Sequence, residues 1–240
     1  MMVLLEDMVV RRGRFELGPV STRFDVGVTA LLGANGAGKS TLMGAVVGVL
    51  APTRGRVEIE RSGGRPMPPG YLPQDFDAPR RVRVTDYLRF VAWCRSSRRT
   101  PITDHEISEA LRAVGLEDRA GWRFGALSGG MRRRVGVAQA LIGSAGVVVL
   151  DEPTVGLDPV QRTELRELIA TLGREHAVLV STHLAEDVAA VAERVLILAD
   201  GSDAFQGSVD ELAERGGGTA VSSESVERGF LSVVRDRVSA

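Results

Sequence analysis

The sequence predicts an α/β fold with a parallel sheet at its core, an antiparallel β subdomain near the N-terminus and an inserted helical subdomain. Compact apolar runs recur along the chain, as expected of strands that are buried on both faces of a parallel sheet. Helical patterns separate most of these runs, which indicates strand–helix–strand units. The chain has 240 residues, enough for one large domain of this class or for two small domains at most. The four runs are Val28–Leu32, Val147–Leu150, Ala177–Val180 and Val195–Leu198.

The segments on either side of the first buried run have a different pattern. Apolar and polar residues alternate more strongly in Leu4–Val10, Arg14–Leu17 and Arg56–Glu60, which favours an antiparallel sheet. The segment Arg61–Gly70 contains three prolines and three glycines, so it is predicted to be a loop.

Helical periodicity dominates the middle of the chain. It begins at Val84 and continues to about Ala120 through an arginine-rich stretch, with one break at Pro101. Further helices are predicted at Met131–Ile142, at Arg162–Leu172 and, as a closing amphipathic helix, at Glu224–Arg237.

Composition and charge argue against several classes of protein. The formal net charge is −1, so no overall basic field attracts nucleic acid, and no nucleic-acid partner is expected. Cys94 is the only cysteine, which excludes an internal disulfide and suits a reducing cytoplasm. The first ten residues include Glu6 and Asp7 and lack a basic leader, so they are interpreted as a strand rather than a signal peptide. The longest uncharged run, Val135–Leu150, is shorter than the roughly 18 apolar residues of a membrane-spanning helix.

The segment from Gly33 to Thr41 matches the pattern G-x-x-x-x-G-K-[ST] of a phosphate-binding loop (P-loop), so the core is predicted to be that of a P-loop NTPase. A buried strand precedes the loop and a helix is expected to begin near Ser40, which is the context that the pattern requires. Lys39, the only lysine among thirty basic residues, would bridge the β- and γ-phosphates of a nucleotide as a compact charge. The predicted nucleotide-binding residues of the loop are Asn35, Gly36, Ala37, Gly38, Lys39, Ser40 and Thr41.

An acidic pair follows the second buried run. Asp151 and Glu152 come directly after Val147–Leu150, and Pro153 cannot extend the strand. Ligands bind at the carboxyl ends of parallel strands, so Asp151 is expected beside the P-loop, where it would hold Mg²⁺. Glu152 would face the γ-phosphate and polarise the attacking water.

The segment Leu127–Arg134 contains Leu-Ser-Gly-Gly followed by Met-Arg-Arg-Arg. Joined to the P-loop and the acidic pair, it resembles the signature of ABC-type ATPases. Gln74 in Tyr-Leu-Pro-Gln, Asp158 in Gly-Leu-Asp and His183 in Ser-Thr-His occur in the family's order. The resemblance covers the chain from about Leu4 to Val238.

The resemblance implies an ATPase that uses ATP and Mg²⁺ and hydrolyses ATP to ADP and phosphate. It assigns catalytic roles to Glu152, to His183 as a γ-phosphate contact and to Gln74 as a contact of Mg²⁺ or the lytic water. Ser40, Gln74 and Asp151 would be the metal ligands.

The family's architecture also implies a pair of ATPase subunits, identical or different, packed head to tail. Ser128 is a good helix N-cap, and Gly129 and Gly130 permit close approach to a ligand. Ser128 and Gly130 of one subunit would reach the nucleotide that the other subunit holds, and Asp158 would couple the two sites.

By the same resemblance, the chain is a single ABC ATPase domain with three parts. Residues 1–74 and 135–215 form the nucleotide-binding core, residues 75–134 form the helical subdomain, and residues 216–240 form a C-terminal tail or helix. The helical subdomain is similar to that of bacterial export ATPases, in which it meets a separate transmembrane permease at the cytoplasmic face of the plasma membrane. The arginines at positions 80, 81, 83, 95, 98 and 99 either favour an acidic partner or anionic lipid, or form an ordinary solvated face.

Two positions depart from the family pattern. Where an aromatic residue usually stacks on adenine, alignment places Arg12, with Phe15 as a nearby substitute. A guanidinium can also stack on a base, so weaker discrimination of adenine is expected. Met131 stands where glutamine is commonest, and its presence is not expected to abolish activity.

Two other functions are compatible with the motifs. One is an ABC ATPase without a transporter, for example in iron–sulfur cluster assembly. The other is a regulatory nucleotide-binding scaffold that does not hydrolyse ATP, although Glu152 argues against it because such a protein could dispense with the base.

Overall fold

A computed structural model describes residues 2–60, 67–97, 101–144 and 146–238. The strands are β1 (Met2–Arg12), β2 (Phe15–Phe24), β3 (Gly27–Gly33), β4 (Arg54–Glu60), β5 (Gly70–Leu72), β6 (Val147–Asp151), β7 (Ala177–Ser181), β8 (Arg194–Ala199) and β9 (Ser202–Ser208). The helices are α1 (Lys39–Val46), α2 (Val84–Arg95), α3 (Asp104–Ala113), α4 (Gly129–Leu141), α5 (Pro159–Gly173), α6 (Ala185–Val191), α7 (Val209–Arg215) and α8 (Ser223–Val238). No helix in the described ranges is long and apolar enough to cross a membrane.

The strands form two sheets. The larger has the order β5-β6-β7-β3-β8-β9, in which all neighbours run parallel except β9, which is antiparallel to β8. The smaller has the order β2-β1-β4 and is antiparallel throughout. The predicted parallel core and antiparallel N-terminal sheet are therefore confirmed, as is the α/β fold class.

The strands at the centre of the large sheet are covered on both faces. Every residue of β3, β6 and β7 is buried, as their uninterrupted apolar runs predict. One core cluster joins Val148 and Leu150 of β6 to Leu88 of α2 and Leu111 of α3. The helices inserted between β5 and β6 therefore share a core with the sheet, and α4 continues across the subdomain boundary predicted at residue 134.

Several expectations need adjustment. Gly70 begins β5 instead of ending a loop, and residues 61–66 of that predicted loop lie outside the described residues. The predicted break at Pro101 is confirmed, since it separates α2 from α3, but α3 ends at Ala113 and not near Ala120. Thr103 and Glu106 form a capping box that starts α3. The predictions omitted four of the strands and α-helices given above: β5, β9, α6 and α7.

Arg95 does not belong to a solvated face. Its guanidinium donates to the carbonyls of Pro68 at 2.8 Å and of Pro69 and Gly143 at 3.2 Å, and burial lowers the pKa of Arg95. The arginines at positions 80, 81 and 83 are exposed, and those at 98 and 99 lie outside the described residues.

Candidate functional site

The P-loop forms one wall of a cleft of about 1490 Å³. Parallel pairing brings the carboxyl ends of β3, β6 and β7 to one edge of the sheet, so the segments that follow these strands meet there. The predicted residues that line the cleft are Arg12, Asn35, Gly36, Gly38, Lys39, Ser40, Thr41, Gln74, Glu152 and His183.

The turn into α1 requires glycine. Gly38 is the N-cap of α1 with φ of +110°, a conformation that L side chains rarely adopt. A Cβ atom at this position would lie 2.9 Å from Leu17 Cδ1 and 3.2 Å from Phe15 Cζ. Ala37, by contrast, has its side chain in the core, and its N–H donates to the carbonyl of Ala34 at 3.1 Å. Ala37 therefore supports the shape of the loop and does not line the cleft.

Lys39 is folded back onto the loop. Its Nζ donates to the carbonyls of Gly33 at 2.6 Å and of Ala34 at 3.2 Å. Burial lowers the pKa of Lys39, and the charges of Glu152 and Asp151 oppose that shift. The ammonium is thus pre-positioned in an anion-binding loop, and the two nearby carboxylates favour its charged form against the effect of burial.

Asp151 ends β6 and is buried behind the cleft surface. Its Oδ1 accepts a hydrogen bond of 2.6 Å from Ser181 Oγ at the end of β7. Burial, with a smaller contribution from Asp151, raises the pKa of Tyr71 on β5. Of the three predicted metal ligands, Ser40 and Gln74 line the cleft and Asp151 lies beneath it.

The donor set fits Mg²⁺ better than a softer metal. A hydroxyl, an amide and a carboxylate supply the oxygen ligands that this cation prefers. The described residues contain no group of three or more His, Cys, Asp or Glu side chains that could hold a metal without such neutral oxygens.

Glu152 has an unusual backbone conformation and a well-defined side-chain contact. Its φ is +46°, in the left-handed region that non-glycine residues rarely occupy. Its N–H donates to Ser181 Oγ at 2.9 Å, and its carboxylate accepts from His183 Nδ1 at 3.0 and 3.1 Å. Only 7% of Glu152 is exposed, whereas His183 is exposed, so a buried carboxylate meets a solvent-accessible imidazole at the cleft.

Ser128, Gly130 and Asp158 do not line this cleft. Ser128 caps α4 and accepts from the N–H of Met131 at 3.2 Å, and Asp158 caps α5 and accepts from the N–H of Gln161 at 2.9 Å. A Cβ atom at Gly130 would lie 2.9 Å from Gln161 Cδ, so the two helix starts are neighbours. This placement is compatible with a role at another subunit's nucleotide, which stays a prediction.

Sequence reasoning missed three structural features at or beneath the cleft. Arg133 inserts its buried guanidinium below the ends of β5 and β6, and Ser181 joins Asp151 to Glu152. The third feature is α8, which contributes Phe230, Leu231 and Val234 to the same cleft as the P-loop. Amphipathicity predicted the helix but carried no information about where its apolar face lies.

The sequence profile of the family described as ABC transporter matches residues 20–155, more than half of the chain. The chain belongs to the ABC transporter family. The uncharacterised ABC transporter ATP-binding protein YxlF of Bacillus subtilis is 36% identical over 188 residues, which are 78% of this chain and 63% of that protein. Nod factor export ATP-binding protein I of Bradyrhizobium diazoefficiens is 35% identical over 193 residues, which are 77% of this chain and 62% of that protein.

Solved ABC transporter structures share the fold. The structure of an ATP-binding subunit of an ABC transporter has a TM-score of 0.75 and 25% identity, and the match covers 95% of this chain and 99% of that one. CbiO1 of Clostridium perfringens, part of the ABC transporter complex cbiONQ, has a TM-score of 0.72 and 26% identity over 88% of this chain and 89% of that one. The chain spans less than two thirds of the length of the two curated relatives named above.

Proposed function

We propose that the chain binds ATP with Mg²⁺ in the cleft and hydrolyses it as the ATPase subunit of a transporter. The observation that carries the proposal is the convergence of Lys39, Glu152 and His183 at one edge of the sheet. These residues come from three separate segments, and they supply a phosphate-binding cation, a carboxylate base and its partner.

The residues have distinct tasks in hydrolysis. The P-loop amides and Lys39 bind the phosphates, and Glu152 accepts the proton of the attacking water while His183 holds its carboxylate. Bound Mg²⁺ would neutralise charge on the β- and γ-phosphates, with Ser40, Asp151 and Gln74 as its candidate ligands. Most of the rate enhancement then comes from positioning and charge stabilisation.

The partners that fit the geometry are a second ATPase subunit and a membrane subunit. Ser128 at the capped end of α4 lies away from this chain's own cleft, as expected of a residue that completes the site of a partner. On α2, Phe90 and Trp93 are stacked and exposed, and exposed aromatic side chains are enriched at protein interfaces. The chain would lie at the cytoplasmic face of the plasma membrane beside a separate permease.

Export is the favoured direction of transport. The support is the similarity to Nod factor export ATP-binding protein I and the resemblance of the helical subdomain to that of bacterial export ATPases. Purification of the chain with its membrane partner, followed by uptake assays in inverted vesicles, tests the direction. ATP-dependent accumulation would support export, and ATP-dependent release from preloaded vesicles would contradict it.

The hydrolytic role of Glu152 is tested by Glu152→Gln, which removes the base and keeps the size of the side chain. Steady-state ATP hydrolysis should fall by about 10²- to 10⁴-fold, while ATP binding persists and a nucleotide-bound dimer accumulates. The matched control is Glu175→Gln, an exposed glutamate that follows α5 and does not line the cleft. A wild-type rate of ATP hydrolysis in the Glu152→Gln protein would contradict the assignment of Glu152 as the base.

A further inference from the structure

Arg133 lies on α4, five residues after the cap at Ser128, and its side chain is directed under the nucleotide cleft. Only 9% of the residue is exposed. Nε donates to the carbonyl of Pro153 at 2.8 Å, and Nη1 donates to the carbonyl of Gln74 at 2.9 Å. Nη2 donates to the carbonyl of Asp151 at 3.0 Å and also to that of Glu152. One guanidinium therefore joins the Gln74 loop to the end of β6.

The acceptors are main-chain carbonyls, which is unusual for a buried cation. Buried charges normally pair with a carboxylate or bind a ligand, because desolvation is costly. Burial lowers the pKa of Arg133, although the charges of Asp151, Glu152 and Asp75 act in the opposite direction. A planar guanidinium presents five N–H donors in a fixed fork and can bridge two segments, which a lysine ammonium does less well.

The contact with Glu152 has a specific consequence. Glu152 is held in the left-handed region, and its peptide groups are fixed on both sides: the N–H by Ser181 and the C=O by Arg133. A sparsely populated backbone conformation persists only when the surroundings determine it. The direction of the Glu152 side chain follows from that conformation, so the guanidinium contributes to where the carboxylate lies.

We propose that Arg133 is a positioning residue for ATP hydrolysis, which fixes the Glu152 backbone and couples the Gln74 loop and the Ser128-capped helix to it. The inference rests on the proposed function, since it assigns Glu152 as the base. Movement of α4 or of the Gln74 loop would be transmitted to the base through one rigid side chain.

Arg132 and Arg134, the two neighbours of Arg133 in the sequence, offer matched controls. Arg132 donates to the carbonyl of Phe124 at 3.3 Å, and Arg134 pairs with Glu164 at 2.8 Å and donates to the carbonyl of Val114 at 3.2 Å. Neither of these contacts involves a residue that lines the cleft. Arg134→Met therefore removes a partly buried arginine from the same helix without touching the site.

The test compares Arg133→Met, Arg133→Lys and Arg134→Met in the full-length chain, with kcat, KM for ATP and Tm measured for each. Arg133→Met should lower kcat by about 10- to 100-fold, the effect of a small misplacement of a catalytic group, with KM changed less than about threefold. Arg133→Lys should lie between this variant and wild type, because the ammonium keeps the charge but not the fork. Arg134→Met should lower Tm and leave kcat within about twofold of wild type.

A double variant separates positioning from general damage. ATP hydrolysis by the Glu152→Gln protein is measured as single-turnover release of labelled phosphate. Adding Arg133→Met to this protein should cause no further loss of the hydrolysis rate, because the effects of residues that act as a unit are non-additive. A full additional loss, a change in KM alone, or wild-type kcat in folded Arg133→Met protein would overturn the proposal. If Arg133→Met does not fold, Arg133→Lys replaces it in the test. Wild-type kcat, a change in KM alone, or a full additional loss on the Glu152→Gln background would then overturn the proposal. Absence of ATP hydrolysis in the wild-type chain would instead contradict the proposed function.

Discussion

Asp187, near the start of α6, offers a prediction whose size follows from its contacts. The residue is 3% exposed and accepts hydrogen bonds from the hydroxyls of Thr154 and Thr182. Arg166 of α5 donates to it through Nε at 2.7 Å. One buried carboxylate therefore connects the segment after Glu152, the segment before His183 and a helix on the surface.

Replacing Asp187 by alanine leaves Thr154, Thr182 and Arg166 without the carboxylate that accepts their hydrogen bonds. Removing one partner of a buried ion pair costs about 3–5 kcal/mol, because the other charge stays desolvated. Among the described residues, Arg166 then keeps an exposed contact with Glu186 at 3.3 Å, which offsets little of this cost. For a chain of this size, a loss of 3–5 kcal/mol lowers Tm by roughly 6–20 °C.

The assay is urea unfolding of wild type, Asp187→Ala and the control Glu186→Ala, with m values checked for constancy. Glu186→Ala removes the exposed acid from the same arginine and should cost less than about 1 kcal/mol. Arg166→Met completes a double-mutant cycle, in which the combined variant should be less destabilised than the sum of its parts. A loss below about 1 kcal/mol for Asp187→Ala, or zero coupling to Arg166, would refute the reasoning.

Three further outcomes are expected. Gly229→Ala in α8 should destabilise the protein although alanine favours helices, because a Cβ atom there would lie 2.0 Å from the carbonyl oxygen of Leu212. Thermal unfolding shows whether the substitution lowers or raises Tm. Burial raises the pKa of Tyr87 to about 12, above the value of roughly 10 in the unfolded chain. The contribution of the neutral phenol to folding stability is therefore complete below pH 10 and is lost as the pH rises toward 12. Tyr87→Phe should remove that part of the pH dependence in urea unfolding between pH 10 and 12. If Arg12 and Phe15 contact the base, the wild-type chain should use ATP and GTP with similar kcat/KM, and a strong ATP preference that survives loss of both side chains would contradict this.

The chemistry at the edge of the sheet could be predicted from the sequence because it depends on short-range patterns. The P-loop needs glycines and a lysine at fixed spacing, and the acidic pair directly follows an apolar strand. Parallel strands bring their carboxyl ends to the same edge, so Lys39 and Glu152 are expected together, and the resemblance to ABC-type ATPases adds His183 to them. The position of Ser128 at a second subunit's nucleotide stays a prediction.

The tertiary structure decided which side chains support that site. Arg132, Arg133 and Arg134 are chemically identical in the sequence, and helical geometry turns each about 100° from the last, so they point in three directions. Only packing of α4 against the ends of β5 and β6 determines that Arg133 is the buried one. The left-handed backbone of Glu152 and the approach of α8 to the cleft depend in the same way on contacts between residues far apart in sequence, which local patterns do not encode.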